Sequence, residues 1–132
     1  MSDIPLEEAS LPVGFRASEL PVSVDQARSV LAIGTSDILV LERGKSRVVL
    51  LKDTDGDDVP DSIVEIAIAS ELNHGLAIHG DYLYASSSTT VYRWPFILEQ
   101  ATASLDDDAA TEVIQNMDAD GCRWKGRSAV WP

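Results

Sequence analysis

The sequence predicts an all-β fold made of about two four-stranded antiparallel blades of a β-propeller. A three-strand pattern occurs twice with an offset of about 45 residues, and repeats of that length with several strands each are typical of propellers. None of the main apolar runs shows a helical stripe of period 3.6 over about 11 positions. A propeller closes with about 4–8 blades, so this chain has room for only part of one. The repeated segments lie at residues 31–34, 37–41 and 46–51, and again at 76–79, 81–85 and 89–94.

The first blade is predicted at about residues 28–69. Before it, residues 1–14 are polar and rich in turn-forming residues, which indicates an extended lead-in, and residues 15–20 are a short candidate strand. The blade itself consists of four runs of Val, Ile and Leu that Gly, Asp and Ser separate. The second run is almost entirely apolar, which predicts a strand covered on both faces. The four predicted strands lie at residues 29–33, 38–42, 47–52 and 63–69.

The second blade is predicted at about residues 75–117, within an incomplete propeller at 15–120. A loop at 95–108 separates its last two strands, and residues 100–105 of that loop have the composition of a helical turn. His79, beside a Gly-Asp pair, is predicted to lie in a turn. The four predicted strands lie at residues 75–78, 82–86, 90–94 and 112–116.

The composition changes after Asp120. Residues 122–132 are basic, hold two of the three tryptophans and show no alternation, so we expect an irregular tail at 121–132 that does not continue the blade pattern. The abruptness of this change leads us to expect a truncated or mis-spliced reading frame, with a natural short tail as the alternative.

Charge and cysteine content limit the classes of function. The net charge of −12 argues against nucleic acid, whose phosphates need Lys and Arg stripes, and is typical of a soluble acidic surface. The single cysteine, Cys122, excludes an internal disulfide framework. No apolar run approaches the ~20 residues that span a bilayer, so we expect no membrane insertion. Residues 1–8 carry no secretory signal, so we expect either an intracellular protein or a missing N-terminus.

An acidic turn at residues 53–61 joins two predicted strands. Carboxylates at alternate positions can converge on one hard cation, and Ca²⁺ accepts about 6–8 oxygen ligands from such loops. The pattern is not an EF-hand, because its glycine comes too early and strands flank it. The alternatives are a solvated hairpin turn and a set of acidic residues that prevents strand pairing at the rim of the blade. The candidate calcium ligands are Asp53, Asp55, Asp57 and Asp61.

Two short segments carry the candidate active-site residues. Asn73 and His74 precede the innermost strand of the second blade, a position that faces the central channel of a propeller, and a histidine there can serve as a general base or bind a cofactor. Arg43 ends the second strand of the first blade, where the other repeat has Ser87, which indicates a special role such as binding an anion. The alternatives are a structural histidine and an exposed edge charge. No nucleophile elbow, phosphate loop or Cys/His metal spacing is present.

The order of these motifs resembles the N-terminal blades of soluble PQQ-dependent sugar dehydrogenases, above all the fungal pyranose dehydrogenases and the glucose/sorbosone dehydrogenase-like branch. The segments that carry the resemblance lie at residues 11–15, 38–44, 47–57, 72–78 and 81–84, within about 11–117.

The resemblance implies a six-bladed propeller that holds pyrroloquinoline quinone (PQQ) over its channel with calcium beside it. It also implies oxidation of a sugar hydroxyl, with a histidine base and hydride transfer to the quinone. By position, Arg43, Asn73 and His74 match cofactor-contacting segments, and His74 is the candidate catalytic base. The implied partners are a sugar substrate and an electron acceptor, and the family location is extracellular.

The chain also departs from that family. Its residues 122–127 do not match the His- and Arg-containing stretch that follows the second blade, and the later blades are absent. We therefore expect the isolated chain to be inactive and to self-associate through open blade edges. The alternatives are a non-enzymatic calcium-binding module and a two-blade unit that assembles into a ring.

Overall fold

The structure is a computed structural model that describes residues 9–97 and 110–117, and within them it contains eight β-strands. Every predicted strand of the two blades is present, and the ends differ from the predicted ones by at most two residues. The predicted helical turn at 100–105 and the tail at 121–132 lie outside the described residues. The strands are β1 Ala27–Ile33, β2 Asp37–Glu42, β3 Arg47–Lys52, β4 Ser62–Ile68, β5 Leu76–His79, β6 Tyr82–Ser86, β7 Val91–Pro95 and β8 Thr111–Ile114.

The strands form two sheets in chain order, β1-β2-β3-β4 and β5-β6-β7-β8, and every neighbouring pair is antiparallel. This confirms the predicted all-β class with two four-stranded antiparallel sheets. The short connections β1–β2, β2–β3, β5–β6 and β6–β7 favour this arrangement, because antiparallel strands can be joined by tight turns. Neither these sheets nor the rest of the described chain contains a helix long and apolar enough to cross a membrane.

The strand registers define two ends of the sheets. Glu42 at the end of β2 pairs with Arg47, and Ser86 at the end of β6 pairs with Val91. We call this end of each sheet the near rim, and the opposite end, which carries the acidic turn between β3 and β4, the far rim. A strand rises about 3.4 Å per residue, so the six residues of β3 separate the two rims by roughly 17 Å.

The main core lies between the two sheets. Buried side chains of β2, β3 and β4 pack against Leu83 and Trp94 of the second sheet and against Phe96, which follows β7. These three side chains are buried as well. A smaller cluster on the other face of the first sheet holds Val40, and Val22 and Val24 from the segment before β1 pack against it. Strand β2 is therefore covered on both faces, as its continuous apolar run predicts.

The segment at 15–20, a candidate strand for pairing with a distant blade, forms no strand with the described residues. Phe15 is 69% exposed and ends a turn in which its N–H donates to the Pro12 carbonyl at 3.1 Å. Gly14, with φ +90°, supplies the left-handed conformation of that turn. His79 is the last residue of β5 and pairs with Tyr82 across the turn at Gly80 and Asp81, so it lies where the predicted turn begins.

Strand β8 is exposed along its whole length, and it forms the outer edge of the second sheet among the described residues. Val113 and Ile114 are two of its exposed residues. An exposed edge with apolar side chains favours pairing with another strand. Self-association through open edges stays a prediction.

Candidate functional site

A hollow of about 260 Å³ lies at the near rim and is lined by two of the three predicted cofactor-binding residues. It brings together Arg43 from the turn after β2 and Asn73 from the segment before β5, two residues that are far apart in the sequence. His74 is exposed beside this hollow but does not line it. The lining residues are Arg43, Ser46, Glu71, Leu72, Asn73 and Ser88.

A larger cavity, about 520 Å³, lies between β1 and β5 toward the far rim. Its lining is mostly aliphatic, with Phe96 and Ile97 on one side and Asp81 as the ionisable residue. It contains none of the predicted site residues. The chemistry that can recognise a polar ligand therefore lies in the smaller hollow at the near rim.

The β2–β3 turn places Arg43 at the hollow. Its N–H donates to the Gln26 carbonyl at 3.0 Å, and its own carbonyl accepts from the Ser46 N–H at 3.4 Å. These bonds fix the backbone while the side chain stays exposed. Within residues 9–97 and 110–117, Arg43 forms no ion pair, so its guanidinium is free to bind an anion.

The neighbouring Glu42 has a different role, because its side chain is buried with 0% exposure. One carboxylate oxygen accepts from Arg47 Nε at 2.8 Å, and the other accepts from the Asp25 backbone N–H at 2.6 Å. Arg47 also donates to Glu65 at 3.0 Å. Burial by itself lowers the pKa of Arg47, but the Glu65 and Glu42 carboxylates outweigh it and leave that pKa above its ordinary value. Glu42 therefore stabilises the rim.

Backbone hydrogen bonds hold the segment with Asn73 and His74 against the end of β6. Both N–H groups donate to the Ser86 carbonyl, at 3.2 and 3.1 Å, and the Gly75 N–H donates to Ser86 Oγ at 2.9 Å. Asn73 Nδ2 donates to Ser88 Oγ at 3.1 Å. These contacts direct Asn73 into the hollow.

The acidic turn brings together three of its four predicted ligands. Asp53, Asp55 and Asp61 each offer a carboxylate oxygen within 4.8 Å of the others, whereas Asp57 is not part of this group. The Asp57 carboxylate accepts instead from the Val59 N–H at 2.9 Å. Hard oxygen donors in this arrangement suit Ca²⁺. The group lies at the far rim, about the length of β3 away from Arg43.

The surroundings within the turn shift the pKa values of Asp53 and Asp55 in opposite directions. Desolvation raises the pKa of Asp53, but the N–H groups of Gly56 and Asp58 donate to its carboxylate and leave that pKa below its ordinary value. The Asp57 N–H lowers the pKa of Asp55, yet desolvation and the Asp57 and Asp53 carboxyls together leave it above its ordinary value. The neighbours of Asp55 therefore destabilise its negative charge.

Sequence reasoning missed Ser46, Glu71 and Ser88 of the hollow. A Ser/Thr run at residues 86–90 is the one available signal for Ser88, because short hydroxyl side chains commonly bond backbone and neighbouring groups at strand ends. Glu71 has φ +59°, a left-handed conformation that is uncommon outside glycine. Nothing in its local sequence marks it as a site residue.

Comparisons with known proteins place this geometry in a family. A family model described as TrAA12-like matches residues 9–131. Two solved structures of Trichoderma reesei Carbohydrate-Active Enzymes Family AA12, an iodide structure and a calcium structure, are each 26% identical, with a TM-score of 0.60. Each match covers 74% of this chain and 25% of the other. None of the curated proteins compared with the chain matches it.

A third solved structure shares the fold. The holo form of the pyranose dehydrogenase PQQ domain from Coprinopsis cinerea is 20% identical with a TM-score of 0.57, over 72% of this chain and 22% of that one. This chain thus spans about a quarter of the length of the structures it resembles. The resemblance inferred from the sequence motifs is confirmed, and since the family model matches nearly the whole sequence, the chain belongs to the TrAA12-like family.

Proposed function

We propose that this chain is the quinone-contacting first part of a PQQ-dependent oxidoreductase that oxidises a pyranose or aldose hydroxyl. The observation that carries the proposal is the hollow at the near rim, where Arg43 and Asn73 meet in a member of the TrAA12-like family. The solved relatives include a structure with calcium and a PQQ domain in its holo form, which supports this class of cofactor.

Most of the polar side chains in the hollow can donate hydrogen bonds to an acidic quinone, and Glu71 is the carboxylate among them. Arg43 supplies a guanidinium, which binds a carboxylate through two parallel hydrogen bonds, and the hydroxyls of Ser46 and Ser88 add polar partners. Bound there, the quinone would supply the two-electron oxidation, taking a hydride from the sugar carbon whose hydroxyl loses a proton. Arg43 and Asn73 would bind and orient it, and His74, exposed beside the hollow, is the candidate to hold that proton.

The partners of the complete protein would be the sugar and an electron acceptor that reoxidises the quinone. Because this chain spans about a quarter of its solved relatives, it supplies only some of the contacts that such a site needs. We expect it to bind the quinone weakly and to show no turnover of sugar by itself.

Replacing Arg43 with alanine tests the quinone site. Loss of a charge-assisted bond costs about 1.5–3 kcal/mol, so we expect quinone affinity to fall by roughly 10- to 100-fold, measured by quenching of tryptophan fluorescence. Lys45→Ala is the matched control, because Lys45 is an exposed cation of the same turn that does not line the hollow. Equal losses in the two variants would show that general charge, and not the hollow, attracts the quinone.

We also propose that the acidic turn binds calcium, independently of the quinone. The convergence of oxygens from Asp53, Asp55 and Asp61 supports this, and the raised pKa of Asp55 indicates repulsion that a cation would relieve. Its position at the far rim separates it from any calcium beside the quinone. A non-enzymatic calcium-binding module remains the second candidate function on this observation.

Calcium is expected to raise the melting temperature of the chain, since a ligand that binds only the folded state stabilises it. The gain should shrink strongly in Asp55→Asn and persist in Asp58→Asn, which removes the same charge from a residue outside the three-carboxylate group. Because the pKa of Asp55 is raised, protons should compete with calcium more readily as the pH falls toward the acidic range. Calcium titrations followed by differential scanning fluorimetry measure both effects, and identical behaviour of the two variants would contradict the site.

A further inference from the structure

The end of strand β6 accepts three successive backbone N–H groups from the segment before β5. Ser86 takes those of Asn73 and His74 on its carbonyl oxygen and that of Gly75 on its hydroxyl oxygen. Its own N–H donates back to the Gly75 carbonyl at 3.1 Å. One half-buried serine therefore determines the path of this whole segment.

The first sheet has an equivalent arrangement, in which a carboxylate takes the place of the serine hydroxyl. Glu42 occupies the register position of Ser86, since each ends the second strand of its sheet and pairs with the first residue of the third. The Glu42 carboxylate likewise accepts a backbone N–H, that of Asp25, from the segment before β1. A side chain at the end of the second strand thus holds the entry to the first strand in both sheets.

The fit around Ser86 is close. A Cβ atom added to Gly75 would lie 3.0 Å from Ser86 Oγ, tighter than most real contacts, so the glycine allows the hydroxyl to reach the Gly75 N–H. The backbone of residues 73–75 is held by Ser86, and the Asn73 side chain is then free to reach Ser88 Oγ at the hollow. The hydroxyl of Ser86 acts on the hollow only through this segment, because it does not line the hollow itself.

We propose that Ser86 is a positioning residue that orients Asn73 and His74 toward the bound quinone. This inference rests on the proposed function, in which Asn73 binds the quinone and His74, beside the hollow, holds the proton of the sugar hydroxyl. Ser86 does so without touching the quinone, by fixing the backbone from which both side chains project.

Ser86→Ala removes the acceptor of the Gly75 N–H and leaves the backbone carbonyl in place. We expect hydrogen exchange at the Gly75 amide to quicken on the order of tenfold, with smaller changes at Asn73 and His74. Quinone affinity should weaken by roughly tenfold, and Ser86→Thr, which keeps a hydroxyl, should recover it. Ser62→Ala, at the start of β4 on the far rim, is the control that should change neither measurement.

A double-variant cycle tests whether the effect of Ser86→Ala on quinone binding comes from the contact between Ser86 and Gly75. Gly75→Ala should weaken quinone binding in the natural background, because its Cβ displaces the Ser86 hydroxyl. In the Ser86→Ala background the same change should have little further effect, since the clash is gone.

The outcomes separate this inference from the proposed function. Unchanged Gly75 exchange in Ser86→Ala, which needs no ligand to measure, would overturn the hydrogen-bonded arrangement itself. Faster exchange with unchanged quinone affinity would overturn the positioning role. Absence of quinone binding by the natural chain, together with faster exchange in Ser86→Ala, would overturn the proposed function, and the role of Ser86 toward the quinone with it, while retaining its hold on residues 73–75.

Discussion

Replacing Trp94 with alanine is expected to lower the free energy of unfolding by about 3–5 kcal/mol, the largest effect of any single change considered. Trp94 is the largest fully buried side chain of the described residues, and it lies in the core between the two sheets. Its ring also contacts Tyr92, with 6.0 Å between ring centroids. The change would leave a cavity at the contact that holds the sheets together, and urea denaturation measures the loss.

Trp94→Phe is the matched variant, and we expect it to cost much less. The indole Nε1 is buried and has no hydrogen-bond partner among the described residues. Phenylalanine removes this unsatisfied donor, which by itself costs about 1–3 kcal/mol, while keeping an aromatic ring in the core. A loss in Trp94→Phe equal to that in Trp94→Ala would contradict this explanation and would show that the indole N–H has a partner.

Replacing Glu42 with alanine is expected to lower the free energy of unfolding by about 3 kcal/mol. The side chain is fully buried, and its loss leaves Arg47 short of one carboxylate and the Asp25 N–H without its acceptor. Arg47 is only 17% exposed, so water replaces the lost partner incompletely. Chemical denaturation followed by circular dichroism measures the change.

A double-variant cycle tests the cause of this loss. Once Arg47→Ala has removed the cation, Glu42→Ala should cost clearly less than it does in the natural background, because no unpaired guanidinium remains. Glu42→Gln should fall between the natural chain and Glu42→Ala, since its amide oxygen still accepts from the Asp25 N–H. Additive losses would mean that Glu42 acts through its volume and not through its charge.

Glu42 and Arg43, at the end of β2, illustrate what local sequence conveys about function. The Glu42-Arg43 pair is visible in the sequence, and Arg43 is distinctive because the other repeat has a small residue, Ser87, at that position. Only the structure shows that the first is buried and stabilises the rim, whereas the second is exposed and lines the hollow. Alternation along a strand predicts opposite faces, but it does not tell which face ends at a ligand site.

The repeat likewise combines a match that is visible in the sequence with a strand register that only the structure shows. The matching Leu-Ala-Ile segments suggest that Leu31 and Leu76 are equivalent, yet Leu31 pairs with Leu39 while Leu76 pairs with Ala85. Leu83 occupies the position in the second sheet that Leu39 occupies in the first. Because Leu83 pairs with Ile78 and not with Leu76, the second Leu-Ala-Ile segment is shifted by two residues relative to the first. A two-residue shift keeps side chains on the same face, so both segments still pack on the core.

The order and approximate ends of the eight described strands follow from the sequence alone, because apolar runs of β-branched and aliphatic residues bounded by Gly, Asp and Ser are local signals. The sequence also predicts the acidic turn, whose carboxylates are neighbours along the chain. That Arg43 and Asn73 share one hollow, and that the acidic turn lies at the opposite rim, is visible only in the folded chain. Strand formation follows from nearby residues, whereas the hollow exists only where one sheet packs against the other and brings distant turns together.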